Sequence, residues 1–236
     1  MHCKEHHALL WRIHRRFPTV TEAVQFGPAR FDFTRVADPD RVLDEVAEEE
    51  DRRERLGGVR HLEPLHLPYW AELWDSAGGI GQYLARAETS LAGVRVLDLG
   101  CGQGLAGCVA AALGARVLFA DLEAPALLFA RLNSLPFTPR IGTRRLNWQT
   151  DRLDQSFDLI LGADILYERK QWDHLEPFWR AHLATNGRVL LGEPGRQTGD
   201  LFLDWIGPRG WKLEQLEETV PTRERAIRIF QLNKGD

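Results

Sequence analysis

Four apolar runs set the frame: VRVLDLG (94–100), ARVLFAD (115–121), FDLILGADIL (157–166) and GRVLLGEP (187–194). Each is short, rich in branched residues and bounded by glycine, proline or acid. Segments with helical spacing lie between them: 105–113, PALLFARLN (125–133) and 170–183. Continuous apolar strands alternating with helices imply an α/β fold whose parallel sheet is covered on both faces. A weaker strand signal covers 144–147. The last two strands, WKLEQLEETV and RAIRIFQLN, turn near Pro221, a connection too short for a parallel crossover, so they form an antiparallel hairpin. With 236 residues, 44% of them apolar, the chain can bury a full core. It has no run of the ~18 apolar residues that a membrane-spanning helix needs.

The chain divides into an N-terminal extension, residues 1–58, and a larger domain, residues 59–236. In the extension, 20–36 reads as two short strands around Gly27-Pro28. Pro39 opens a charged helix from about Asp40 to Leu56, closed by Gly57-Gly58. The first residues, MHCKEHH, read as a mobile, His-rich terminus; Cys3, His6 and His7 lack the fourth ligand that a structural metal needs, and no metal site is expected. In PYWAELWDSAGG (68–79), Pro68 suits the first turn of a helix through Asp75. Gly78-Gly79 then interrupts it, and a second helix runs to about Ala87.

The most specific signal is Asp98-Leu99-Gly100-Cys101-Gly102-Gln103-Gly104. A buried strand runs into a glycine turn that opens a helix. Such a turn lets a ligand approach the backbone at a helix N-terminus. Gly102-x-Gly104-x-x-Gly107 formally matches the dinucleotide fingerprint. Asp98 argues against a pyrophosphate there, because a carboxylate in this turn repels phosphate and attracts a cation. The cationic sulfonium cofactor S-adenosyl-L-methionine is the better fit. Asp121 ends the next strand, where it can accept both ribose hydroxyls, cap the following helix, or do both. Asn147-Trp148 follows the third strand signal. Asn147 could read an adenine amine and Trp148 could flank the ring, or Trp148 could be plain core.

Charge and cysteine content narrow the class. The net charge of −4 supplies no strongly basic field, so nucleic acid is not an expected partner. Cys3, Cys101 and Cys108 match no zinc spacing and cannot close a disulfide set. This is the cysteine usage of a reduced, cytoplasmic protein.

VLDLGCGQG, Asp121 and the strand ending in Ala163-Asp164-Ile165-Leu166-Tyr167 together resemble the class I S-adenosylmethionine-dependent methyltransferases. PYWAELWDSA (68–77), DILY (164–167) and GEPGR (192–196) narrow the likeness to the seven-strand protein-lysine methyltransferases with a D-x-x-Y element. Within these the chain is most similar to the electron transfer flavoprotein β-subunit lysine methyltransferase group. The resemblance implies a Rossmann-like, mostly parallel seven-strand sheet with helices on both faces and a C-terminal antiparallel hairpin. It also implies residue roles. Gly100 and Gly102 would meet the cofactor through the backbone, with Asp98 at its methionine end and Asp121 at its ribose. Trp148 and Ala163 would border the adenine and sulfonium region, and Trp74 would close over it. Read as residues alone, Trp70 and Trp74 could simply share one helix face and pack on the sheet.

The activity implied is methyl transfer to a lysine side chain of a protein substrate. Asp164 would dock the amine and Tyr167 would wall its channel; a strand-end cap and a core aromatic are the plain alternatives. Glu193 sits at the neighbouring strand end as a weaker candidate. Two other functions keep the same fold: methyl transfer to a small molecule or RNA, and cofactor binding without catalysis.

Overall fold

The computed structural model describes residues 2–55, 67–88 and 90–235. A helix α1 (His2–His14) precedes an antiparallel hairpin, β1 (Thr19–Phe26) and β2 (Ala29–Val36), and a charged helix α2 (Pro39–Arg55). After a single 3-10 turn at Tyr69–Ala71 come α3 (Asp75–Ala87), β3 (Arg95–Leu99), α4 (Leu105–Ala112), β4 (Arg116–Asp121), α5 (Ala124–Ser134) and β5 (Ile141–Arg145). The chain continues through β6 (Phe157–Ala163), α6 (Arg169–His182), β7 (Leu183–Glu193), α7 (Gln197–Ile206), β8 (Trp211–Glu218) and β9 (Ile227–Lys234).

The larger sheet has seven strands in the order β5-β4-β3-β6-β7-β9-β8. The first five are parallel, and β9 runs antiparallel to both β7 and β8. The expected fold class is therefore observed, including the reversed terminal hairpin. Strand alternation sorts the core. Val96, Phe119, Leu161, Leu190 and Ile229 face α3, α4 and the small hairpin, which adds Phe26, Phe31 and Phe33. Leu97, Leu99, Ile160, Val189 and Phe230 face α6 and α7, against Trp172, Trp179 and Phe202. The strand order, not the strand direction, reverses between β3 and β6, so a crevice opens at the carboxyl ends of these parallel strands beside β3.

Several local expectations change. Gly78-Gly79 does not interrupt a helix but lies inside α3. A Cβ on Gly79 would come within 2.6 Å of Ile227 on β9, so helix and sheet touch there because no side chain intervenes. Trp70 and Trp74 share no helix face: Trp70 sits in the 3-10 turn, buried against Phe17 and Phe129, while Trp74 precedes α3 and points toward the crevice rim. The N-terminal residues form α1, whose buried Leu9 and Ile13 pack with Phe129 and Leu132, and Glu5 pairs with Arg131. The strand expected at 144–147 lies at Ile141–Arg145, because β5 is an edge strand positioned by pairing with β4 from Val117↔Ile141 to Asp121↔Arg145. Helix α7 had no counterpart in the sequence reading; Phe202, Trp205 and Ile206 supply its buried face. Leu56 and the closing Gly57-Gly58 of the charged helix lie outside the described residues.

Candidate active site

The glycine turn is built from the end of β3. Gly100 has φ +65°, and a Cβ there would lie 2.9 Å from Ile165 and 3.4 Å from the Trp148 ring. Gly102 has φ +51°, and a Cβ there would meet only the Trp70 carbonyl, at 3.7 Å. Both positions thus need a residue that tolerates a left-handed backbone.

Asp121, at the end of β4, braces this turn. One carboxylate oxygen accepts the Gly102 N–H at 2.8 Å, and the other accepts the Glu123 N–H at 2.9 Å. The residue therefore braces the entry to α5, which has no side-chain cap of its own, and stands at the crevice. Burial outweighs these bonds and pushes its carboxyl up to about 6. Asp98 is more enclosed: only 1% exposed, it accepts the Gly107 N–H at 2.9 Å beneath the start of α4. Burial pushes it up to about 7. It forms the floor of the turn instead of facing the open crevice.

Two buried amides tie the N-terminal hairpin to this turn. Gln103 accepts the Val36 N–H at 2.8 Å and donates to the Ala71 carbonyl at 2.7 Å. Asn133 accepts the Thr34 N–H at 2.8 Å and donates to the carbonyls of Thr34 and Gln103. The loop, β2 and the PYW segment thus form one hydrogen-bonded unit.

Trp148 follows β5, beside Gly100, with its indole N–H donated to Gln171. Asn147 closes a local turn, its side-chain oxygen accepting the Gln149 N–H at 2.9 Å. Ala163 ends β6 opposite Gly192 on β7.

The acceptor side assembles from three distant segments. Asp164 follows β6 with φ +58°, the one non-glycine residue at positive φ among the described residues. That conformation is costly, and the Asp164 N–H bond to the Gly192 carbonyl holds it. The Asp164 carboxylate pairs with the Arg196 guanidinium, which lies 5.3 Å from the centre of the Trp74 ring. Trp74 donates to the Tyr69 carbonyl, and Tyr69 meets Tyr167 edge-on at 5.6 Å. Tyr167 is 41% exposed; burial and Glu168 push its phenol up to about 12, so it stays a neutral donor. A cavity of about 270 Å³ opens between Glu72, Trp74, Asp164, Pro194, Arg196 and Arg223.

Glu193 is not a free rim carboxylate. It is 2% exposed and accepts the N–H groups of Gly195 and Arg196 and the Arg228 guanidinium, so it fixes the PGR turn. Sequence reasoning gave no role to Arg196, Arg223, Tyr69 or Gln103. The first lay in the quoted GEPGR segment, where an Arg just past a strand end was the available signal.

These residues fit S-adenosyl-L-methionine. The turn leaves its backbone open at Gly102, an indole lies beside Gly100, and Asp121 is a carboxylate with too few donors for its burial, which a ribose diol would supply. Topology and crevice together define a class I methyltransferase fold. Magnesium protoporphyrin IX methyltransferase from Synechocystis, solved with bound SAM, superposes with a TM-score of 0.57 at 16% identity, covering 85% of this chain and 98% of that one. Within that class, residues 69–204 match the lysine methyltransferase family, and the chain belongs to it. The electron transfer flavoprotein beta subunit lysine methyltransferase of Danio rerio is 33% identical over 139 residues, 56% of this chain and 52% of that protein. Protein N-lysine methyltransferase METTL21A of Danio rerio is 41% identical over 129 residues, 51% of this chain and 58% of that protein. The matches thus span about half the length of these relatives.

Proposed function

We propose that this protein transfers a methyl group from S-adenosyl-L-methionine to the ε-amine of a lysine in a protein substrate. The observation that carries the reading is the meeting of three separate segments, at Trp74, Asp164 and Arg196, around one cavity. When bound, the cofactor supplies a methyl group already activated by its sulfonium. The protein must align the amine, exclude water and keep the amine neutral. A lysine of pKa ~10.4 costs roughly 4.6 kcal/mol to deprotonate at pH 7. Desolvation among Trp74, Tyr69 and Tyr167 offsets part of that cost.

Asp121 would accept from the ribose, while Gly100 and Gly102 would let the cofactor lie against the backbone. Trp148 and Ala163 would border it, and Trp74 would cover its reactive end. Asp98 would support the turn from below. Asp164 would dock the amine and take its proton transiently, with Tyr167 as the channel wall. We further propose that residues 1–58 form an extension to a catalytic domain of residues 59–236. Gln103 and Asn133 would make the two interdependent. The free cysteines favour a cytoplasmic setting.

Mass spectrometry of lysate peptides after incubation with labelled cofactor tests the reading. A methylated lysine is expected, lost with Asp164→Asn while cofactor affinity stays. Label confined to RNA or small molecules, or cofactor binding with no transfer to any fraction, would overturn it.

A further inference from the structure

We propose that Arg196 determines substrate specificity: its guanidinium holds the place of the acceptor cation and is handed to an acidic residue beside the target lysine. This rests on the lysine reading above and names the surroundings of that lysine.

The Asp164 side chain is only 5% exposed, and Arg196 pairs with it. The guanidinium is held by a carboxylate and an aromatic face, the same elements that would recognise a lysine ammonium. An arriving amine that takes the same carboxylate oxygen, Oδ1, must displace Arg196. Its backbone cannot follow: the N–H is fixed to Glu193, and the carbonyl accepts from Gly199 and Arg228. The side chain, 36% exposed, has room to swing. Burial and Arg223, which lines the same cavity, both disfavour the guanidinium charge, while Glu72 and Asp75 also line that cavity. Asp75 already accepts Thr222 and lies 3.8 Å from Arg223. Glu72, which lines the same cavity, is the chain's own competitor for the displaced group. A substrate carboxylate next to the lysine would receive Arg196, complement Arg223, and make entry selective.

Two peptide series test this, each with one lysine, flanked by glutamates or by glutamines. Affinity is measured by fluorescence anisotropy without cofactor, and kcat/KM with it. Wild-type protein should favour the glutamate peptide by on the order of tenfold or more in both, the range of a charge-assisted hydrogen bond. Arg196→Gln should bring both ratios close to one, and Arg196→Lys should keep part of the preference. Equal affinities in wild type, or a ratio unchanged by Arg196→Gln, would overturn the proposal and leave Glu72 as the receiver. A glutamate preference in binding with no methyl transfer to either peptide would instead refute the lysine reading.

Discussion

Replacing Asp98 with asparagine should flatten the dependence of stability on pH. Asp98 lies beneath α4 with the Gly107 N–H as its hydrogen-bond donor, and burial pushes it from 3.8 up to about 7. Between those values the folded protein keeps a proton that the unfolded chain has released. The stabilisation from Asp98 is therefore complete below about pH 4 and is lost as pH rises through 7. At ~1.36 kcal/mol per pH unit, the loss between pH 5 and 8 comes to about 2–3 kcal/mol. That is a large part of the ~5–15 kcal/mol typical of a folded domain. Asparagine can still accept the Gly107 N–H but does not titrate. Urea denaturation of the cofactor-free protein at a series of pH values reads the effect. Relative to wild type, Asp98→Asn should gain about 2–3 kcal/mol in going from pH 5 to 8. A shallower slope should persist in the variant below pH 6, from Asp121. Parallel stability profiles for the two proteins would refute the argument that Asp98 is buried and protonated.

Asp121→Asn should weaken cofactor affinity by on the order of 100-fold, since two charge-assisted bonds of ~1.5–3 kcal/mol each would be lost or weakened. Calorimetry measures this; unchanged affinity would remove the ribose role. In the wild type, cofactor affinity should fall as pH drops below about 6, because protonating Asp121 removes the acceptor. Gln103→Ala leaves the Val36 N–H and the Ala71 carbonyl without that partner, which costs ~1–3 kcal/mol for each buried group. It should lower the urea midpoint and raise the cofactor KM, while a change below about 0.5 kcal/mol would show that the hairpin is not joined to the turn in this way.

The interior of the fold was legible because parallel strands buried on both faces leave unbroken apolar runs, and β3, β4, β6 and β7 all do. Edge strand β5 was displaced because its exposed residues carry little pattern; its partner β4 decides where it begins. The glycine pair in α3 misled for a related reason. Glycine interrupts a helix in isolation, yet Gly79 is what a helix needs where Ile227 presses against it. The glycine turn was legible in outline, as were the strand-end positions of Asp121 and Asp164. The pairing of Asp164 with Arg196 was not, since it depends on side chains brought together by adjacent strand ends. The bonds of Gln103 to β2 and to the PYW segment were hidden likewise.

The start of α3 rests on the sheet through two missing methyl groups. Gly79 meets Ile227, and a Cβ on Gly192 would come within 2.6 Å of the Ser76 carbonyl. A side chain at either position would act as a wedge, tilting the helix outward and carrying Trp74 away from Arg196. The mouth of the cavity would then widen although no residue lining it had changed. Access for bulkier acceptors could be retuned from behind the wall, leaving the chemical groups intact.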